Sequence, residues 1–140
     1  MKYKSLRLLS SLFAIALLFS MIPMAHASST RASDYFAYTD VWATPLGGGR
    51  VAVEFDINAT DIMQELGAEK IYIWEQQSDG SYENVKTYSS GLIDKNTADA
   101  YRMITYYGTS GVKYYATVVL YAKDSSGSEK LYSNPRVVTA

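Results

Sequence analysis

Apolar and polar residues alternate most regularly between residues 114 and 123. One face of an extended strand would carry Tyr114, Ala116, Val118, Leu120 and Ala122, and the other Tyr115, Thr117, Val119, Tyr121 and Lys123. Successive side chains of a strand point to opposite faces. The first set is typical of a packed interior and the second of a partly solvated surface. Turn residues at 124–128 (DSSGS) follow, and the alternation resumes over residues 131–139, so the sequence predicts a β-hairpin.

Five further stretches have the composition of strands, because they are rich in β-branched and aromatic residues. They lie at residues 34–44, 50–58, 70–77, 82–88 and 99–107. The tetrapeptide SDGS at residues 78–81 is a hairpin signal. Residues 45–49 and 89–98 are predicted to be loops. Pro135 has no N–H, which predicts that the final strand begins, bulges or lies at a sheet edge near that residue.

The stretch TDIMQELG at residues 60–67 breaks the period of two. Thr60 or Asp61 can cap the start of a helix, and Gly67 can take the left-handed position after its end. The sequence therefore predicts an all-β fold, a seven-stranded antiparallel β-sandwich with one short helical turn near residues 60–67.

The last two predicted strands resemble those of a fibronectin type III domain, an immunoglobulin-like β-sandwich. Gly111, Tyr114 with the alternation after it, and the segment Ser133-Asn134-Pro135 carry this resemblance. It implies that Tyr114 forms a structural corner by hydrogen bonding back along the chain. The segments DIMQELGA, WEQQSDGSYENVKTY and YYGTSGVKYYA are similar to small secreted bacterial proteins of an uncharacterised family. That likeness implies a Gram-positive secretory context and carries no established activity.

The first 27 residues have the three parts of a secretory signal peptide. Lys2, Lys4 and Arg7 precede an apolar run, and Ala25 and Ala27 form an Ala-x-Ala cleavage signal. The apolar run is shorter than the ~20 residues of a membrane span, which favours cleavage over a membrane anchor. We therefore expect a secreted, extracellular protein with no membrane attachment after cleavage. A flexible lead at residues 28–33 and a single domain at residues 34–140 would remain.

Charge and composition exclude several classes of function. Without the signal peptide, ten lysines and arginines face 14 acidic residues, a net charge of −4. No basic surface typical of nucleic-acid binding is therefore expected. The protein has no cysteine, and its one histidine, His26, lies in the predicted signal peptide. Common nucleophile–base pairs and zinc sites need these residues, so we predict a non-enzymatic protein without a cofactor or metal.

The first candidate for a binding site is a predicted aromatic platform on two strands that are neighbours in the fibronectin arrangement. Its four outward-facing members are Tyr72, Trp74, Tyr115 and Tyr121. Aromatic rings bind the apolar faces of sugars or anchor protein partners. Residues 70–77 are apolar on both faces, so an alternative in which Trp74 is a core residue stays open. Cross-strand tyrosine pairs can also serve only to stabilise a sheet.

Two further candidates have simpler interpretations. Residues 124–128 match the D-x-S-x-S pattern of the cation site in von Willebrand A domains, but calcium requires six to eight oxygen ligands. A hairpin turn is therefore favoured. Glu54 and Asp56 lie two apart on one face of a strand. Solvated surface charge is favoured there over the paired carboxylates of a glycosidase.

The sequence as a whole favours a secreted, non-catalytic binding module that recognises a protein or a glycan. An alternative is a structural protein that assembles through its sheet edges, because few charges block pairing along residues 131–139. A third hypothesis is a secreted inhibitor acting through the loops at residues 45–49 and 89–98. The sequence leaves the oligomeric state open.

Overall fold

The structure is a computed structural model that describes residues 33–140. The predicted signal peptide, with Ala25 and Ala27, and residues 28–32 of the predicted lead lie outside the described residues. Seven antiparallel strands form one curled sheet. They are β1 (Phe36–Gly47), β2 (Arg50–Gln76), β3 (Tyr82–Tyr88), β4 (Ile93–Tyr107), β5 (Lys113–Lys123), β6 (Ser128–Ser133) and β7 (Val138–Thr139). In this part of the chain, no helix has the length and apolar character needed to cross a membrane.

The long strand β2 is the centre of the sheet. It has 27 residues, whereas strands of globular proteins usually have about 3–10. Its first part, residues 50–58, pairs with β1 and β4. Its last part, residues 71–76, pairs with β3 and β5. β5 pairs in turn with β6 and β7. The strands that flank β2 therefore differ between its first part and its last part.

One hydrophobic core joins the two parts of β2. Phe55 and Ile57 from the first part and Ile71 and Ile73 from the last part are members of the same buried cluster, as is Leu120 of β5. These residues occupy alternate positions of their strands, as the period of two requires. The sheet therefore curls until the buried sides of both parts meet.

The helical turn predicted at residues 60–67 is wrong, because this stretch is extended and belongs to β2. Met63 pairs with Thr97 of β4, after a bulge that follows Asn58. The backbone N–H of Thr60 donates to the carbonyl oxygen of Tyr35 at 2.9 Å instead of starting a helix. Neighbouring strands thus satisfy the polar groups that a helix would have satisfied within itself.

Gly67 has a role different from the predicted end of a helix. Its φ of +151° is far from the value near +57° of the left-handed helical region. The backbone at the start of β4 passes so close that a Cβ on Gly67 would collide with the carbonyl oxygen of Leu92, the residue before this strand. Glycine is needed here because the Leu92 carbonyl group occupies the space that a Cβ would take. Both β4, at Ile93, and β5, at Tyr121, pair with β2 at this residue.

Three loop and strand boundaries also need correction. Residues 93–98 were predicted to be loop, but β4 begins at Ile93 and pairs there with the stretch that was predicted to be helical. The predicted loop at residues 45–49 shrinks because β1 extends to Gly47. Residues 131–139 are two strands, β6 and β7, and Pro135 lies in the gap between them.

The described chain starts in contact with the β5–β6 hairpin. The hydroxyl of Ser33 donates to Glu129 Oε2 at 2.8 Å and accepts hydrogen bonds from the backbone N–H groups of Tyr35 and Phe36. These bonds join the start of β1 to the far side of the sheet.

Candidate functional site

Trp74 points away from the core. Its neighbours Ile71 and Ile73 are 0% and 1% exposed, and alternation along β2 places Tyr72 and Trp74 on the opposite, outer side, where both are half-buried. On β5, Tyr115 pairs directly with Trp74 and alternates with the buried Tyr114 and Ala116. The alternative with Trp74 in the core is therefore excluded by the register.

Four rings form a contiguous group on this outer side, which we call the aromatic cluster: Tyr72, Trp74, Tyr82 and Tyr115. The indole of Trp74 lies 5.7 Å from the ring of Tyr115 with an interplanar angle of only 10°. Tyr72 lies 6.2 Å from Trp74. Tyr82 of β3 meets Tyr115 edge-on at 4.8 Å. These distances are typical of favourable aromatic pairs, so the rings also stabilise one another.

A short chain of hydrogen bonds fixes the orientation of Trp74. Its indole Nε1–H donates to Thr117 Oγ1 at 3.2 Å, and the Thr117 hydroxyl donates to Asn134 Oδ1 at 2.7 Å. Asn134 is exposed, and the nitrogen of its amide still has two N–H donors. The aromatic cluster thus has a polar group at its border that can donate hydrogen bonds to a ligand.

A β-bulge positions the β3 side of the aromatic cluster. Ile73 pairs with Lys86 and Trp74 pairs with Asn84, so Val85 is the extra residue on β3. The side-chain amide of Asn84 donates to the carbonyl oxygens of Ile73 and Lys86 at 3.0 and 3.1 Å. Bulges often re-aim side chains next to functional sites, and this one lies directly beside Trp74.

Three of the four residues of the predicted platform are brought together, and Tyr121 is separate. Its ring has the Lys130 ammonium 5.9 Å from its centroid. Lys130 also forms an ion pair with Glu69, with Nζ 2.8 Å from Oε2, and the hydrogen bond to Glu69 raises the pKa of Lys130.

Four residues of this site were not among the predicted site residues: Tyr82, Asn84, Thr117 and Asn134. Tyr82 had a usable signal because it is an aromatic residue directly after the SDGS turn, and Thr117 had one because it alternates onto the same face as Tyr115.

Tyr114 is fully buried behind the aromatic cluster and holds two segments together. Its hydroxyl accepts a hydrogen bond from the backbone N–H of Thr109 at 2.8 Å and donates to Glu75 Oε2 at 2.6 Å. Gly108 makes room for this arrangement, since a Cβ there would lie 2.5 Å from the hydroxyl oxygen. Burial, followed by the hydrogen bond to Glu75, raises the pKa of Tyr114.

Residues 124–128 form a turn around the Asp124 carboxylate. Its Oδ1 accepts hydrogen bonds from the hydroxyl and backbone N–H of Ser126, both at 2.7 Å, and from the N–H of Gly127 at 2.9 Å. The bond from the Ser126 hydroxyl is the largest cause of a lowered pKa of Asp124. This Asp124 oxygen therefore stabilises the turn that joins β5 to β6. No group of three acidic, histidine or cysteine side chains with metal-site geometry occurs within residues 33–140.

The comparisons with known proteins add no family to this picture. The chain matches none of the protein-family models against which it was compared, and it has no match among curated proteins.

Proposed function

We propose that this chain is an exported fibronectin type III-like β-sandwich that binds a glycan through the aromatic cluster. The fold assignment is supported by the pairing of β1 and β4 with the first part of β2, of β3 and β5 with its last part, and of β6 with β5. The hydrogen bond from Thr109 to the Tyr114 hydroxyl also supports it, because it runs back along the chain from the start of β5. Export rests on the basic and apolar N-terminal sequence.

The observation that carries the binding proposal is the contiguous arrangement of Tyr72, Trp74, Tyr82 and Tyr115 outside the core. Rigid rings give a large contact area at a low cost in conformational entropy. Sugar rings have apolar C–H faces that pack on such surfaces, and their hydroxyl groups can accept from the Asn134 amide. A rigid, outward-facing group of rings with a polar border is therefore suited to a carbohydrate chain.

The test is binding of purified residues 28–140 to a glycan array. Trp74→Ala and Tyr115→Ala should each weaken binding by at least about tenfold, as expected for central aromatic contacts. Tyr121→Ala removes a half-buried ring on the same side but outside the aromatic cluster, and it should leave binding nearly unchanged. Circular dichroism must show that each variant is folded. Equal losses in Tyr115→Ala and Tyr121→Ala would contradict this location of the site.

Quenching of tryptophan fluorescence gives a second readout that does not need a stable Trp74 variant. In a Trp42→Phe background Trp74 is the remaining tryptophan. A bound glycan should protect it from a soluble quencher. Binding without such protection would move the site away from the aromatic cluster.

Self-assembly through sheet edges is the second candidate function. Leu131 and Tyr132 on the edge strand β6 are 39% and 66% exposed, and this apolar exposure favours it. However, β6 has only six residues and carries Glu129 and Lys130, and short charged edges resist pairing. Light scattering that shows oligomers growing with concentration, and lost in Leu131→Lys, would favour assembly over glycan binding.

A further inference from the structure

A groove of about 350 Å³ lies between β1 and the segment that joins β6 to β7. Its lining residues are Val41, Trp42, Ala43 and Thr44 from β1 and Pro135 and Arg136 from the connecting segment. The volume is at the lower end of the range of ligand sites, about 300–1,000 Å³. No residue of the aromatic cluster lines this groove, so it is a separate feature of the molecule.

One edge of β1 is open along this groove. β1 is the last strand in the sheet order and pairs only with β2 in the described part of the chain. Backbone hydrogen bonds between residues 41–44 and residues 134–137 are absent there. Pro135 has no N–H to donate, which helps to explain why the connecting segment does not pair with β1. Unpaired N–H and C=O groups of an edge strand are a template for an added strand.

The groove also has groups that can select a partner. The half-buried Trp42 supplies apolar contact area beside the open edge. Arg136 is exposed, and the two ion pairs found within residues 33–140 join Arg102 to Asp94 and Lys130 to Glu69. The guanidinium of Arg136 is therefore not neutralised by a described carboxylate. Its planar group of donors fits a carboxylate in a bidentate manner.

We propose that this groove binds an extended peptide segment that carries an acidic side chain. The segment adds as a strand to the free edge of β1, with its backbone paired to residues 41–44. Its apolar side chains contact Trp42, and its carboxylate binds Arg136. This site operates independently of glycan binding at the aromatic cluster.

The test uses two synthetic peptides of alternating valine and threonine, flanked by glycine and serine, with either a glutamate or a lysine at the centre. The probe is the fluorescence of Trp42 in a Trp74→Phe background. The glutamate peptide should bind about two- to fivefold more tightly than the lysine peptide, which is the range expected for an exposed ion pair. Arg136→Glu should reverse this preference, whereas Lys123→Glu, which changes an exposed charge outside the groove, should not.

Amide hydrogen exchange separates strand addition from a contact of side chains alone. The bound glutamate peptide should slow exchange in residues 41–44, and a peptide N-methylated at alternate backbone positions should bind more weakly. Equal affinity of both peptides, no binding of either, or unchanged exchange in residues 41–44 would each overturn the proposal. A peptide-independent dimer that is lost in Arg136→Glu would also overturn it and assign the edge to a second copy of the chain.

Discussion

At the scale of single residues, Tyr114 shows how one side chain links the interior to its polar surroundings. Its ring is fully buried and packs edge-on against Tyr106 with a centroid distance of 5.4 Å. Its hydroxyl would be costly to bury alone, but it has a donor in Thr109 and an acceptor in Glu75. The same surroundings disfavour the phenolate, because a negative charge would be buried beside a carboxylate.

This environment predicts a loss of stability at alkaline pH. The pKa of Tyr114 is raised in the folded protein above the ordinary 10.0 by burial and by Glu75, and burial raises the pKa values of Tyr88 and Tyr106. Below pH ~10 both the folded and unfolded states keep these phenols neutral. As pH rises further, only the unfolded state ionises, so the free energy of unfolding should fall by up to about 1.4 kcal/mol per pH unit for each tyrosine.

Denaturant titrations at ~pH 9 and ~pH 11 measure this effect on either side of the ordinary tyrosine pKa. Tyr114→Phe should be less stable at the lower pH by about 1–3 kcal/mol, because Thr109 and Glu75 lose their partner. It should also lose less stability between the two pH values than the native protein does. Tyr107→Phe, which removes an exposed hydroxyl, is the matched control. An equal pH dependence in the native protein and in Tyr114→Phe would contradict the assigned role of Tyr114.

At the scale of the secondary-structure elements, β2 depends on one residue without a side chain. Gly67 lies between β4 and β5, and a Cβ would collide with the backbone of Leu92. Gly67→Ala should therefore destabilise the protein by more than about 3 kcal/mol, because a positive φ and a backbone collision are combined. Gly80→Ala is the matched control. Gly80 also has a positive φ of +85° but has open space around it, so its cost should be only about 1–2 kcal/mol.

Thermal and chemical unfolding of these two variants check the prediction. Similar losses in Gly67→Ala and Gly80→Ala would show that the close approach of β4 contributes nothing beyond the backbone conformation.

Two predicted elements were wrong because of the way in which the strands pair. A helical turn was predicted at residues 60–67 and a loop at residues 93–98, but these two segments pair with each other as strands. Met63 and Leu66 have the spacing of one helix face, and both are buried. In the structure both residues lie in the extended strand β2, whose pairing with β4 is regular from Met63 to Gly67. Strand pairing between distant segments is a nonlocal interaction, which a local period cannot reveal.

The candidate site was predictable to the extent that it depends on alternation. The outward position of Tyr115 follows from the regular pattern of residues 114–123. The outward position of Trp74 does not, because residues 70–77 are apolar on both sides and only the pairing of Trp74 with Tyr115 decides it. Asn134 lies opposite Thr117 because the register of β5 and β6 pairs Val118 with Ser133, and this register is a property of the strand pair that the alternation within either strand does not give.

At the scale of the whole molecule, the shared core predicts a single cooperative unfolding transition. Trp42 lies on β1, which pairs with the first part of β2, and Trp74 lies in the last part. Side chains from both parts form one buried cluster, so neither part has a core of its own. Domains of this size with one core usually unfold in a two-state manner.

Because one tryptophan lies in each part of the sheet, the unfolding transition can be measured separately for the two parts. In Trp74→Phe the fluorescence reports on Trp42, and in Trp42→Phe it reports on Trp74. Within each variant, the fluorescence transition in denaturant should coincide with the transition seen by far-ultraviolet circular dichroism. A fluorescence change that precedes the loss of strand signal in either variant would show that one part of the sheet opens independently.

Most strand segments could be predicted from the amino-acid sequence, with residues 60–67 and 93–98 as the exceptions, and the sequence also shows that residues 28–140 contain no histidine or cysteine. Local alternation and composition carry this information, because the period of two is a property of each strand alone. Only the tertiary structure decided which segments pair, that residues 60–67 are extended, and that Trp74 faces outward next to Tyr115 and Tyr82. These features depend on contacts between residues far apart in the chain, whose geometry is set when the sheet curls around its common core.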